Sequence, residues 1–157
     1  MRPLYIFDLD GTLADLTHRL HFLEDKTDKH RWDKFHAACS KDKPKHNVIW
    51  LFNTLIASDA DVWVFSGRSS VVREQTIDWL NDNTVMSREL LMAAPELLTM
   101  RDEGDYTEDH LLKAFWVDKL LKDDLDRLIC VFDDRSRVVD MWRSKGITCL
   151  QVAPGDF

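Results

Sequence analysis

The feature that most constrains the fold of this chain is an apolar segment near its start that ends abruptly in two carboxylates. Residues 4–7 read Leu-Tyr-Ile-Phe, and Asp8-Leu9-Asp10-Gly11-Thr12 follows directly. A short apolar run bounded by a turn signal is typical of a strand buried on both faces of a parallel sheet. Asp8 and Asp10 would then lie at the carboxyl end of that strand, where open α/β sheets bind their ligands. The alternative is an ordinary Asp-Gly turn, which is common after strands.

The same arrangement recurs further along the chain. Residues 62–65 form an apolar run that ends in Ser66-Gly67-Arg68, and residues 128–132 form another that ends in Asp133-Asp134-Arg135. A more mixed run closes the chain at 147–152, and helical patterns lie between these runs at 48–56, 72–80, 111–120 and 138–142. This alternation of strands and helices predicts an α/β fold, a three-layer αβα sandwich with a central parallel sheet.

Two segments fit the alternation poorly. Residues 16–46 are polar and rich in histidine and lysine, and Phe22, Trp32 and Phe35 recur there at loosely helical spacing. We expect a small helical cap inserted after the first strand, within a single domain that spans residues 1–157. Residues 84–107 are the least regular, although Leu97, Leu98 and Met100 are compatible with a further strand before Arg101.

Composition excludes several classes of protein. The net charge of −7 argues against a general nucleic-acid coating protein, and no apolar run approaches the roughly 20 residues of a membrane span. No secretory signal is apparent, and the odd number of cysteines (Cys39, Cys130 and Cys149), without a C-x-x-C pair, disfavours a zinc ribbon or a disulfide framework. These features favour the cytoplasm.

Charge is distributed unevenly. Residues 16–46 contain eight lysines and arginines against five acidic residues, a net of +3. Such an island suits an anionic substrate, and a solvated helical surface of mixed charge is the alternative.

Three strand ends with polar residues predict a site, because the carboxyl ends of neighbouring parallel strands open into one crevice. Carboxylates and water are the ligands that Mg²⁺ prefers, so Mg²⁺ is the expected cofactor. Lys113, in a predicted helix, could supply positive charge to a phosphoryl group. Taken singly, Lys113 is an ordinary surface lysine, Ser66 a turn residue and Asp133-Asp134 a helix N-terminal pair.

Together these motifs resemble a known family. In order and spacing, Asp8-x-Asp10-Gly11-Thr12, Ser66-Gly67-Arg68, Lys113 and Asp133-Asp134 are similar to the motifs of the haloacid-dehalogenase-like phosphatases. The tail, from Asp133 to Gly155-Asp156-Phe157, resembles the 3′-phosphatase domain of phage polynucleotide kinase-phosphatases. No G-x-x-x-x-G-K-[ST] phosphate loop occurs in the chain, so we expect no kinase domain.

The resemblance implies roles for individual residues. Asp8 is the expected nucleophile and Asp10 the general acid and base, with Ser66 and Lys113 holding the phosphoryl oxygens. The expected Mg²⁺ ligands are the side chains of Asp8 and Asp133 and the backbone carbonyl of Asp10, with Asp134 contributing through water or by orienting the site. Substrate contacts are expected from Gly11, Thr12, Gly67, Arg68, Arg101 and Arg135.

The resulting hypothesis is a Mg²⁺-dependent phosphomonoesterase acting on the 3′-phosphate ends of polynucleotides. A nucleotidase for free mononucleotides is the main alternative, and a catalytically dead binding module or a phosphoryl-transfer enzyme would carry related motifs. The expected partner is a phosphorylated nucleic-acid end or a nucleotide, without a membrane or an obligate protein partner. For the aromatic residues of the cap, Phe22, Trp32 and Phe35, two roles are possible. They can stack on a base of the substrate, or they can form the hydrophobic core of the cap itself.

Overall fold

A central sheet of five parallel strands organises the protein in the computed structural model, which describes residues 1–156. Phe157, the last residue of the tail motif, lies outside the described residues. The sheet order is β5-β4-β1-β6-β7. Its strands are β1 (Leu4–Phe7), β4 (Asp61–Ser69), β5 (Leu98–Arg101), β6 (Leu128–Asp133) and β7 (Cys149–Gln151), and β2 (Ala14–Asp15) pairs antiparallel with β3 (Lys43–Pro44) in a separate ribbon.

Strand β1 lies in the middle of the sheet because its side chains are apolar on both faces. Leu4 and Ile6 pack into one hydrophobic cluster, whereas Phe7 packs into the other. The Phe7 ring stacks on Phe132 of the neighbouring β6, with centroids 4.2 Å apart. The polar residues that follow β1 and β6 therefore emerge side by side.

Helices cover both faces of the sheet. They are α1 (Arg31–Ala37), α2 (His46–Ala57), α3 (Arg73–Asn83), α4 (Arg88–Ala93), α5 (Asp109–Asp118), α6 (Lys122–Arg127) and α7 (Ser136–Ser144). Buried apolar residues of α2, α3 and α4 belong to the cluster that contains Phe7, and Val117 of α5 and the buried residues of α7 belong to the other. The predicted three-layer α/β fold is confirmed. Within residues 1–156, no helix has the length and apolar character needed to cross a bilayer.

Some elements differ in extent from the sequence expectation. Strand β4 continues through Ser66-Gly67-Arg68 instead of ending before them, and β7 is shorter than the apolar run of 147–152. Helices α4 and α6 were not predicted, because each has only six residues and α6 buries none of them. Such short elements carry too little periodicity to be recognised. The strand expected before Arg101 is present as β5.

The segment between β2 and β3 leaves the two-stranded ribbon at β2 and returns to it at β3. It contains the 3₁₀ helices Thr17–Leu23 and Ala38–Lys41 on either side of α1. Its end is anchored to α3, where the indole Nε1 of Trp79 donates to the Asp42 carbonyl at 2.8 Å. The assignment of residues 16–46 as a cap remains a prediction.

The packing of α2 on the sheet generates a first test. Phe52 is fully buried and meets Phe7 edge-on at 5.1 Å, whereas Trp50 of the same helix is 70% exposed. Phe52→Ala should lower the free energy of unfolding by about 3–5 kcal/mol, because it leaves a cavity between α2 and β1. The matched Trp50→Ala should change it by less than about 0.5 kcal/mol. Urea unfolding measures both, and similar losses in the two variants would contradict this packing.

Candidate active site

Three buried carboxylates meet at the carboxyl ends of β1 and β6. Asp8 follows β1, Asp133 is the last residue of β6, and Asp134 comes next. One ligand oxygen of each lies within 4.8 Å of the others. The pairing of Phe7 with Phe132 produces this convergence, since it places the residues that follow in register.

Lys113 reaches this acidic group from α5. Its ammonium Nζ lies 2.6 Å from Asp8 Oδ1 and 2.8 Å from Asp133 Oδ2, and the residue is only 3% exposed. Burial by itself would lower the pKa of Lys113, but Asp133 and Asp8 outweigh burial and raise that pKa above its ordinary value. The lysine therefore stays charged and bridges the two strand ends.

One lysine leaves the three acids undercompensated. Burial raises the pKa of Asp8 well above its usual range, with Asp133 and Asp134 adding to the effect and Lys113 opposing it. Burial, followed by the charge of Asp133, also raises the pKa of Asp134 to about 6. A cluster of carboxylate oxygens with surplus negative charge has the chemistry of a divalent-cation site, so these residues fit the expected Mg²⁺.

Gly11 and Thr12 lie against Asp134. Gly11 has a φ of +87°, and a Cβ at this position would come within 2.2 Å of Asp134 Oδ2. The Thr12 hydroxyl donates to Asp134 Oδ1 over 3.4 Å, and Lys45 Nζ donates to the Gly11 carbonyl at 2.7 Å. The tight turn after β1 thus requires glycine for two reasons, its backbone conformation and the proximity of the carboxylate.

The Asp10 side chain lies in a second cluster, apart from the three carboxylates. Its Oδ1 accepts hydrogen bonds from Arg68 Nε at 2.9 Å and from Arg19 Nη2 at 2.7 Å. Burial would raise the pKa of Asp10, but Arg68 and Arg19 outweigh it and hold that pKa below its ordinary value. The acid and base role expected of Asp10 belongs to this side chain. The metal contact expected of Asp10 belongs to its backbone carbonyl, so the two roles involve different atoms.

The two arginines of this cluster are held in place by a further acid. Both guanidinium groups are fully buried, and both donate to Asp42 Oδ2, Arg68 at 2.6 Å and Arg19 at 2.7 Å. Charged hydrogen bonds of this kind fix a guanidinium in one orientation. Arg68 is expected from the sequence to contact substrate. In the structure its guanidinium binds the Asp10 carboxylate and so holds that side chain in position.

Of the remaining predicted residues, Gly67, Arg101 and Arg135 lie around Asp109, and Ser66 precedes Gly67 on β4. The buried Ser66 hydroxyl accepts from the Arg68 backbone N–H at 3.2 Å, and the Gly67 carbonyl accepts from Arg101 Nε at 2.9 Å. Arg101 forms an ion pair with Asp109, and Arg135 Nη1 binds the other oxygen of that carboxylate at 2.6 Å. Arg101 and Arg135 thus join α5 to the ends of β4 and β6.

Sequence reasoning missed four residues of this arrangement, namely Arg19, Asp42, Lys45 and Asp109. Arg19, Asp42 and Lys45 belong to the irregular segment between β2 and α2 and carry no local motif. Asp109 did carry a signal, because it precedes Lys113 by four residues and so shares its face of α5.

The raised pKa of Asp134 generates a test on the metal-free protein. Its carboxyl group binds a proton more tightly in the folded state than in the unfolded state, so the contribution of Asp134 to wild-type stability falls as the pH rises from about 4 to 6. Asp134→Asn should therefore raise the free energy of unfolding by about 2–3 kcal/mol at about pH 7.5, and by close to zero at about pH 4. Urea titrations in EDTA measure this difference. An equal effect at both pH values would contradict the assigned environment.

Comparison with known proteins places the chain in a family. A family model described as the polynucleotide kinase PNKP phosphatase domain matches residues 2–157. A protein of Autographa californica nuclear polyhedrosis virus, named as a bifunctional polynucleotide kinase/RNA ligase, is 29% identical over 138 residues, which cover 87% of this chain and 17% of the viral protein.

Solved structures agree with this placement. A chain of the Pnkp1/Rnl/Hen1 RNA repair complex matches with a TM-score of 0.76 and 28% identity, over 99% of this chain and 44% of that one. The class C acid phosphatase of Bacillus anthracis matches with a TM-score of 0.65 and 14% identity, over 99% of this chain and 67% of that one, which is a likeness of fold alone. The chain spans less than half the length of the viral protein and of the repair-complex chain. Because the family model covers residues 2–157, this protein belongs to the PNKP phosphatase-domain family, which is a family of haloacid-dehalogenase-like phosphoric monoester hydrolases.

Proposed function

We propose that this protein is a Mg²⁺-dependent phosphatase that removes 3′-phosphates from polynucleotide ends through a phosphorylated Asp8. One observation carries the proposal, namely the buried Asp8 carboxylate held at 2.6 Å by Lys113 beside Asp133 and Asp134. Pure binding does not require a buried carboxylate next to a lysine and two further acids. The polynucleotide substrate is supported by the family and by the repair and kinase relatives of the chain.

Asp8 acts as the nucleophile in this proposal. A carboxylate oxygen forms a bond to phosphorus while the bond to the 3′ oxygen of the substrate breaks, which divides one difficult hydrolysis into two steps. Asp8, Asp133 and Asp134 would hold Mg²⁺, with the Asp10 carbonyl as a further ligand. When bound, Mg²⁺ supplies positive charge that favours ionised Asp8 and offsets the charge of the phosphate.

Asp10 acts on the protons. It donates one to the departing 3′ oxygen and later accepts one from the water that attacks the aspartyl-phosphate and releases inorganic phosphate. In the substrate-free protein, Arg68 and Arg19 keep the pKa of Asp10 low. The acid role therefore depends on the substrate, because the negative charge of a bound phosphate raises the pKa of a neighbouring carboxyl group.

Lys113 and Ser66 support the transferring phosphoryl group. Lys113 contacts both Asp8 and Asp133, so its charge lies at the point where the phosphoryl oxygens would gather. Residues 16–46, as a cap beside this crevice, would select the substrate. Arg68 contributes by positioning Asp10, and Arg101 and Arg135 by positioning Asp109.

The substrate assignment is tested by comparing phosphate release from four substrates in the presence of Mg²⁺. These are a 3′-phosphorylated oligonucleotide, a 5′-phosphorylated oligonucleotide, and the free 3′- and 5′-mononucleotides. The proposal predicts the highest kcat/KM for the 3′-phosphorylated oligonucleotide, loss of release in EDTA, and recovery when Mg²⁺ is added back. Preference for free nucleotides would establish the nucleotidase alternative, and undiminished turnover in EDTA would remove the metal.

The nucleophile is tested with Asp8→Asn and a matched control. Asp8→Asn should lower kcat by at least about a thousandfold, because the amide cannot attack phosphorus. The fold should persist, since burial already disfavours the charged form of Asp8. The control is Asp140→Asn, which makes the same change at an exposed position of α7. Acid quenching with a ³²P-labelled 3′-phosphate should trap label on the wild type and on Asp140→Asn, but not on Asp8→Asn. A fully active, well-folded Asp8→Asn protein would overturn the mechanism.

A further inference from the structure

The structure separates the three aromatic residues of the 16–46 segment into different environments. Phe35 is 6% exposed and lies 4.1 Å below the Arg19 guanidinium, so it belongs to the core of that segment. Phe22 is half-buried and packs against His21. Trp32 differs from both because it is 47% exposed. The indole of Trp32 is therefore the one of these three rings with a large area open to a ligand.

Trp32 is held in a defined orientation by its neighbours on α1. Its ring meets Phe35 edge-on, with centroids 5.8 Å apart and an interplanar angle of 85°. It lies nearly parallel to the imidazole of His36, one turn further along, with centroids 6.0 Å apart and an interplanar angle of 28°. The contacts with Phe35 and His36 restrict the indole, which reduces the side-chain freedom that is lost when a flat ligand binds.

Helix α1 is joined directly to the Asp10 cluster. The Phe35 carbonyl accepts from Arg19 Nη1 at 3.2 Å, and Nη2 of the same guanidinium donates to Asp10 at 2.7 Å. The charges of this cluster also act on His36. Burial lowers the pKa of His36, the charge of Asp10 opposes this effect, and the charge of Arg19 adds to it. Helix α1 thus reaches the Asp10 cluster through the Phe35 carbonyl and Arg19, and Trp32 lies about one turn before His36 on the same helix.

His36 also contains an unpartnered polar atom. Its Nδ1 is buried and has no hydrogen-bond partner among residues 1–156. The Nε1 of Trp142 shares this property but lies in the hydrophobic cluster between the sheet and α7. Buried polar atoms are nearly always paired, so an orphan beside a catalytic cluster indicates a ligand group or a water.

We propose that Trp32 and His36 form the wall of the site that receives the terminal nucleoside, with the indole of Trp32 stacked on its base. This inference rests on the proposed function, because it requires a nucleotide-bearing phosphate. Stacking suits a phosphatase that acts on ends of any sequence, since every base has a flat face. The net charge of +3 in residues 16–46 favours the same ligand, because it attracts the phosphates that flank the base.

The test compares two substrates, a 3′-phosphorylated oligonucleotide with a normal terminal base and the same oligonucleotide with an abasic terminal sugar. In the wild type, kcat/KM for the normal end should exceed that for the abasic end by about tenfold, chiefly through KM. Trp32→Leu, which keeps an apolar side chain but lacks a flat ring, should bring this ratio close to one. Trp32→Tyr should restore most of it, and Trp50→Leu, at an exposed tryptophan of α2, should leave the ratio unchanged.

The possible failures can be told apart. A wild-type ratio near one would overturn the stacking inference whatever the variants do, and so would a normal ratio in folded Trp32→Leu. If Trp32→Leu does not fold, Trp32→Met, which also lacks a flat ring, takes its place with the same expected ratio close to one. Failure of the proposed function has a different signature, because the wild type would then release no phosphate from either oligonucleotide.

Discussion

The ion bridge that Lys113 makes to Asp8 and Asp133 is the interaction on which the rest of the site depends. It joins the ends of two neighbouring strands through a side chain that arrives from a helix. Removing Lys113 would leave the buried carboxylates without this cation, which is far more costly than the loss of a surface ion pair. The bridge is also incomplete, because burial and Asp133 raise the pKa of Asp134 and the charges of Lys113 and Lys45 only partly offset this effect. The same arrangement thus holds the strand ends together and creates the demand for a cation.

Asp8 and Asp10 are two residues apart in sequence but occupy different electrostatic environments. Burial raises the pKa of Asp8, with Asp133 and Asp134 adding to this effect and Lys113 opposing it. Asp10 faces Arg19 and Arg68, so its pKa is lowered. The chain turns back directly after Asp10, at Gly11, which has a positive φ and whose N–H donates to the Ala14 carbonyl at 2.8 Å. In the proposed reaction the two carboxylates differ in role because their neighbours differ in charge.

Local patterns carried most of the information about the sheet. Buried parallel strands must be apolar on both faces, so β1 and β6 were visible as continuous apolar runs. Two helices were not visible in local patterns, because α4 is short and α6 is polar. Their positions depend on packing or on capping, as by Ser87 at the start of α4. The same holds for Arg19 and Asp42, since nothing in their sequence neighbourhood indicates that they meet Arg68 and Asp10 in one buried network.

The sequence by itself determined the class of fold, the strand ends that carry acids, and the family, because these depend on local periodicity and on ordered motifs. Only the tertiary structure decided which atoms meet. It showed that Arg68 binds Asp10, that Arg101 and Arg135 converge on Asp109, and that Trp32 is exposed while Phe35 is buried. The physical reason is that burial and charge pairing are properties of residues brought together from distant parts of the chain. The Asp8-x-Asp10 pair shows both levels, because its position was evident from the sequence whereas its electrostatics depend on the fold.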